Sequence, residues 1–434
     1  MTETQTKLLH FMETEVETLK PPITSPYIYK VSKELCNGHG EFFKPISIPI
    51  GPLHYDEKSP AQEFKKWFLK NFIDRLIPLN VTKNQLAEVM IGLGTQCRQY
   101  YRDIDEQVIT DYKFVQIMLL DGCFIMELLF SQEYKESNTS VLVGNTQKVP
   151  FYTLQQDLLR MENQLPFLVL TTLADLARIN KSNKNSESTS QSVIHLALEF
   201  FNISKPENFT STDNPIPRHL LELAMNVLFH RNDDSSSPQD VSTSTIHVSD
   251  DHKNLLENAK SASALEMCGI KIKPGDSTNL TKIEYNKGVL VIPPLVIQES
   301  TSSLFWNFLI FDMSSSSSRI FTSYAVLMDT LINNEKDVEV LLRKKILISK
   351  NNDIASLVSL FNDLCANVSP KEFYFEPLMQ KLNQAFRTRR RQIRMYLVHN
   401  YYDVRWEVLS SILIFIFTVT QTMFAVLSYK PKDK

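Results

Sequence analysis

At 434 residues the chain is long enough for a large core or two, and its 43% hydrophobic and 22% charged content is that of a globular protein. A net charge of −3 supplies no field for a polyanion, which argues against nucleic acid as a partner. Ten glycines against 26 phenylalanines favour helical packing over a turn-rich β architecture.

The N-terminus, MTETQTKLLHFMETEVETLK, is acidic and lacks the basic and apolar regions of a signal peptide. Thr2 stands where myristoylation needs glycine. Residues 1–45 read as a partly disordered extension, and ISIPIGPLHY (46–55) as an extended lead-in. Ser59-Pro60 supplies an N-cap followed by proline at the first helical position. Phe64, Trp67, Phe68, Phe72, Ile73 and Leu76 then recur at helical spacing. Further helices are expected at Lys83–Tyr101 and Tyr112–Phe130, the latter apolar nearly all round and so buried. Residues 135–149 read as a loop. DLLRMENQLPFLVLTTLADLA (157–177) reads as a helix kinked at Pro166, which lacks a backbone donor. A polar linker at 181–190 precedes helices near 191–202 and 217–229.

The stretch 231–251 is rich in Ser, Thr and Asp and reads as a disordered insertion separating a first half, 46–230, from a second, 252–400. The second half opens with a helix near 253–268. IKI, TKIEY and GVLVIPPLVI then indicate a small β element at 270–297, with Asn286-Lys287-Gly288 turn-like. Helices are expected at about 300–311, 319–332, 335–346, 353–366 and 375–400, with the serine run 314–318 as a loop.

From Val408 to Leu427 the chain carries twenty uncharged residues between Trp406 and Tyr429, which reads as a transmembrane helix over 406–429. Arg387, Arg389, Arg390, Arg391, Arg394 and Arg405 precede it, and Lys430, Lys432 and Lys434 follow. That bias places the body on the cytosolic side, with a lumenal or extracellular body as the alternative. In the alternative orientation the sequons at Asn80, Asn138, Asn180, Asn202, Asn208, Asn279 and Asn367 would matter. The basic cluster is expected either to meet anionic lipid headgroups or to be a solvated face that only sets topology.

ISIPIGPLHY, MLLDGCFIMELL (118–129), DLLRMENQLPFLVL (157–170), GVLVIPPLVIQEST (288–301), TSYAVLMDTLI (322–332) and QTMFAVLSY (421–429) together resemble the plant family called domain of unknown function 247, also uncharacterised protein family 0481. The resemblance runs from about residue 30 to the C-terminus. It implies a mostly helical soluble body with one C-terminal membrane helix. Some members in grasses are pollen-side determinants of self-incompatibility, which implies partner recognition. Asp312-Met313-Ser314 departs from the Glu-Gln-Cys sequence often found there.

No Walker loop, GxSxG, HExxH or Rossmann glycine run occurs, so no catalytic residue, cofactor or metal ligand is indicated. Asp121, Glu162, Asn163 and Gln164 lie in apolar stretches. They read as a structural polar network, with acid–base carboxylates as the functional alternative. His54 and Asp56 in GPLHYDE are either ligand-orienting or local loop residues. Cys123 reads as a core thiol, while Cys97 and Cys268 are candidates for greater exposure. The expected protein is mainly α, with a large helical body, a small β element and a single-pass anchor. It is expected to serve interaction or recognition through an unidentified protein partner. The alternatives are an enzyme with an unrecognised site and a soluble protein whose C-terminal helix is buried.

Overall fold

The computed structural model describes residues 27–388 apart from 37, 103, 106, 132–139, 144–146, 179–187, 205–215, 230–254, 257–258, 315–318, 350–352, 367 and 369–371, together with a helix over 405–428. The insertion expected at 231–251 and the start of the N-terminal extension lie outside the described residues.

The first half is built from α1 (Lys33–Cys36), α2 (Pro60–Leu76), α3 (Lys83–Arg98), α4 (Asp111–Phe130), α5 (Phe151–Asp157), α6 (Phe167–Leu176), α7 (Thr189–Phe200) and α8 (Leu220–Leu228). Helix α2 starts where the sequence places it: the Ser59 hydroxyl accepts the Ala61 N–H and Pro60 occupies the first turn. Thr82 and Gln85 form a reciprocal capping box at the start of α3. Helix α4 is the buried axis, packed against α2, α3 and α6. Its Gly122 lets α6 approach closely, because a β-carbon there would lie 2.7 Å from methyls of both Val169 and Leu173.

Two expectations need correction here. Residues 135–149 are not all loop: β1 (Ser140–Val143) and β2 (Gln147–Pro150) pair antiparallel, favoured by the β-branched Val141, Val143 and Val149. The segment 157–177 is not one kinked helix either. It breaks into α5, an irregular stretch from Leu158 to Pro166, and α6. Proline disfavours helical backbone in the residue before it, and Glu162, Asn163 and Gln164 turn inward to bond backbone groups instead of continuing the spiral.

The second half holds α9 (Ala262–Met267), β3 (Lys271–Pro274), β4 (Glu284–Asn286), β5 (Val289–Ile292), β6 (Leu295–Ile297), α10 (Thr301–Ser314), α11 (Ile320–Leu331), α12 (Glu335–Arg343), β7 (Leu347–Ser349), α13 (Ile354–Cys365) and α14 (Glu376–Arg387). Strand β5 runs parallel to β3 and antiparallel to β4. The β4–β5 turn has Lys287 at φ 49° and Gly288 at φ 83°, the pair of left-handed residues that a two-residue hairpin of type I′ requires. Strand β6 pairs in parallel with β7, which adds a strand beyond the expected 270–297 element.

The two halves are laced together. Tyr29, Val31, Cys36 and Phe43 of the N-terminal segment and Met161, Leu221, Ala224 and Phe229 of the first half pack in the hydrophobic core of the second. Ile203 touches both cores. Helix α8 packs on α10, and His219, fully buried at the start of α8, lies edge-on to Phe311 of α10 at 5.0 Å.

Cys97 and Cys268 are 0% and 1% exposed, not surface thiols. Burial pushes the Cys97 thiol up to about 12 and Cys123 well above its ordinary value.

The C-terminal helix, α15 (Arg405–Ser428), corrects the anchor. Among the described residues no helix is long and apolar enough to cross a membrane. Ser410, Ser411, Thr418, Thr420, Gln421 and Thr422 interrupt the apolar surface. Three of the threonine hydroxyls fold back onto carbonyls of their own helix. Trp406, Val408 and Leu427 fall within α15, but their side chains and all of Tyr429 lie outside the described residues. The helix is not a buried core element either: Ile414, Phe415, Phe417 and Phe424 are 66–75% exposed.

His219 yields a pH prediction. Its Nδ1 accepts the Glu222 N–H at 3.2 Å, its Nε2 has no hydrogen-bond partner, and burial lowers its pKa to about 4. The unfolded imidazole takes up a proton near pH 6.5 and the folded one only near 4, so stability falls as pH drops through that window. His219→Asn keeps a capping acceptor and removes this titration. The loss of unfolding free energy between pH 7 and pH 4.5 should be smaller in the variant by about 2–3 kcal/mol, measured by urea denaturation.

Candidate functional site

Two polar regions are candidates, one closed and one open. The closed one is centred on the irregular stretch Leu158–Pro166. The segment Ile46–Gly51 lies against it without strand partners, so its buried N–H groups need side-chain acceptors. Asp157 accepts the N–H groups of Ile46, Ser47 and Ile48 at 2.6, 2.8 and 2.9 Å. Asn163 accepts from Ile50 at 2.6 Å and donates to the carbonyls of Ile48 and Asp157. Asp121, on α4, accepts the Gly51 N–H at 2.7 Å and pairs with the Lys65 ammonium of α2. Lys65 also donates to the Pro49 carbonyl at 2.6 Å.

The same stretch reaches in other directions. Glu162 accepts the Val31 N–H at 2.8 Å and pairs with His54 Nε2 at 2.6 Å. Gln164 donates to the carbonyls of Leu158 and Arg160, both at 2.8 Å, and accepts the Leu221 N–H at 3.0 Å. Arg160 donates to the carbonyls of Glu41 and Lys44. From the second half, Asn307 accepts the Met161 N–H at 2.6 Å and donates to the Phe42 carbonyl at 2.8 Å. Gly51 sits at φ 72°, and a β-carbon there would lie 2.8 Å from the Gln164 carbonyl oxygen, so only glycine fits.

The structure therefore brings together Asp121, Glu162, Asn163 and Gln164 as one layer of contacts, each at most 4% exposed. Burial raises the carboxyls of Asp121 and Asp157, opposed at Asp121 by Lys65 and at Asp157 by the three backbone N–H donors. His54 joins the layer through Glu162, whereas Asp56 accepts the Lys58 N–H in a local turn. Lys65, Asp157, Arg160 and Asn307 belong to the same layer and carry no sequence motif. The nearest signal is a lysine, Lys65, on the apolar face of α2.

The open region is a cleft of about 770 Å³ between the halves. Its first-half wall comes from α5 and the ends of α7 and α8. Its second-half wall comes from the 297–304 stretch, the end of β7 and α13. Leu159, Ile203, Leu228, Leu304, Leu357 and Leu360 give it an apolar floor. Above that stand Gln155, Gln156, Gln298 and a set of serines, with Glu299, Asp353 and Asp363 as carboxylates. Asp353 caps α13 by accepting the Ser356 N–H at 3.2 Å. None of the sequence-predicted site residues lines this cleft.

Among the described residues no group of His, Cys, Asp and Glu is placed to hold a metal ion. Arg387 ends α14 and Arg405 begins α15, while Arg389, Arg390, Arg391 and Arg394 lie outside the described residues.

Fold and site define a mainly helical protein of two interlaced halves, with a closed polar layer joining them and an open cleft between them. The chain belongs to the plant protein family of unknown function DUF247, whose profile matches residues 28–420. It is similar to UPF0481 protein At3g47200 of Arabidopsis thaliana, 27% identical over 93% of this chain and 86% of that one. It is also similar to putative UPF0481 protein At3g02645 of the same plant, 22% identical over 44% of this chain and 37% of that one. No solved structure matches.

The Lys65–Asp121 pair gives a second prediction. Both side chains are 1% exposed, so removing either partner strands a buried charge. Lys65→Met and Asp121→Asn should each lower the unfolding free energy by about 3–5 kcal/mol. The double variant should cost clearly less than the sum, as a double-mutant cycle in urea would show.

Proposed function

We propose that this protein is a recognition protein that binds its partner in the cleft between the two halves. The observation that carries the reading is how the polar side chains are divided. Asp121, Glu162, Asn163 and Gln164, the residues with the strongest sequence claim to chemistry, are committed to backbone groups in a closed layer. The cleft offers solvent-facing hydroxyls, amides and carboxylates over an apolar floor, the composition of a binding site. Among the described residues that line it, no histidine, cysteine or lysine stands to pair with a serine as base or nucleophile.

The test is site-directed photocrosslinking in plant tissue that expresses the protein. A photoreactive phenylalanine replaces Tyr152, which lines the cleft and is 56% exposed, or Tyr112, which is 78% exposed and outside it. Discrete adducts are expected from position 152 only. They should disappear when Ser359→Trp, on the exposed cleft side of α13, fills the space. Equal labelling from both positions, or adducts indifferent to Ser359→Trp, would overturn the reading.

A further inference from the structure

The sequons of the chain are not equivalent in the fold. Asn80 and Asn202 are exposed, at φ 57° and 55°, in turns just past α2 and α7. Asn138, Asn180, Asn208 and Asn367 lie outside the described residues. Asn279 differs from both sets. It stands between β3 and β4 and is 3% exposed, with Leu280 at 5% and Thr281 at 3%.

This segment is built into the interior. The Asn279 carboxamide oxygen accepts the Thr281 N–H at 3.0 Å and the Thr281 hydroxyl at 2.8 Å. The Leu280 N–H donates to the Leu228 carbonyl, at the end of α8, at 2.8 Å. That bond crosses from the second half to the first, and Leu280 itself packs in the second hydrophobic core. A saccharide on the Asn279 amide would displace the segment, losing the burial of Leu280 and the link between the halves together.

N-glycans are attached to the nascent chain in the lumen of the endoplasmic reticulum, before folding can hide an acceptor. Asn279-Leu280-Thr281 has no proline in the middle, so the unfolded chain presents a competent acceptor. A chain that reaches this fold has therefore not met the transferase at that site. The thiols point the same way by an independent route. All five cysteines are free, and four of them are buried. An oxidising lumen pairs the thiols of an unfolded chain, whereas the cytosol keeps them reduced.

We infer that Asn279 is a sequon that must stay bare, and that the body of this protein folds and acts on the cytosolic side, free of N-glycans. Asn80 and Asn202, though accessible, carry none. The inference does not rest on the cleft, but it restricts any partner bound there to molecules of the cytosolic side.

The experiment uses the full chain, produced in plant cells with its own N-terminus and, separately, translated into reducing microsomes behind an added signal peptide. The first form should show no mobility change with N-glycosidase, and all five thiols should be alkylated in denaturant without reductant. In microsomes Asn279 should be glycosylated, and limited proteolysis should digest the body. Thr281→Val removes the sequon at the cost of one hydrogen bond, and should raise the protease-resistant fraction at least fivefold. Asn279→Asp, which keeps the oxygen acceptor, should do the same. Asn80→Asp removes an exposed acceptor and should recover nothing. Glycosidase sensitivity or a disulfide in the first form overturns the inference. So does a microsomal chain that stays protease-resistant with Asn279 modified, one that leaves Asn279 unmodified, or failure of both position-279 and position-281 variants to recover resistance.

Discussion

Buried backbone outside helices and sheets must find its hydrogen-bond partners among side chains, because an unmet N–H in the interior costs as much as a lost hydrogen bond. The segment Ile46–Gly51 is in that position. Asp157, Asn163 and Asp121 meet its N–H groups in turn, and Lys65 meets the Pro49 carbonyl. The irregular stretch Leu158–Pro166, which follows Asp157 and contains Asn163, also reaches Val31, Leu221 and, through Asn307, the second half. Both cores are thus held in register by one short irregular segment.

That arrangement explains why chemistry-bearing residue types are poor guides to function here. A glutamate, an asparagine and a glutamine in sequence beside a proline look like a site, yet each has a structural partner within hydrogen-bonding distance. Such a layer is costly to leave half satisfied, so its members are constrained without touching any ligand. The cleft is assembled differently, from residues that are individually unremarkable and come from both halves of the chain.

The hydrophobic pattern made the helical body legible because helical spacing is a local property. The N-cap at Ser59, the buried α4 and the helix at 320–331 follow from it directly. The break at Pro166 did not, because periodicity continues across it on both sides. The side chains that stabilise the interruption act through partners more than a hundred residues away, such as Ile50 to Asn163. The strand Leu347–Ser349 was hidden for the same reason, since it pairs with the distant Leu295–Ile297. The apolar C-terminal run misled in the opposite sense. A count of uncharged residues does not weigh hydroxyl and amide interruptions, and among the described residues no helix is long and apolar enough to cross a membrane.

By itself the sequence determined the helical class, the positions of most helices, the β4–β5 turn and the family, all of which depend on local spacing or on extended similarity. Only the tertiary structure decided that Asp121, Lys65, Asp157, Glu162, Asn163 and Asn307 form one closed layer, and that an open cleft lies between the halves. The physical reason is separation along the chain: a hydrogen bond spanning 146 residues, from Met161 to Asn307, leaves no periodic trace in either segment.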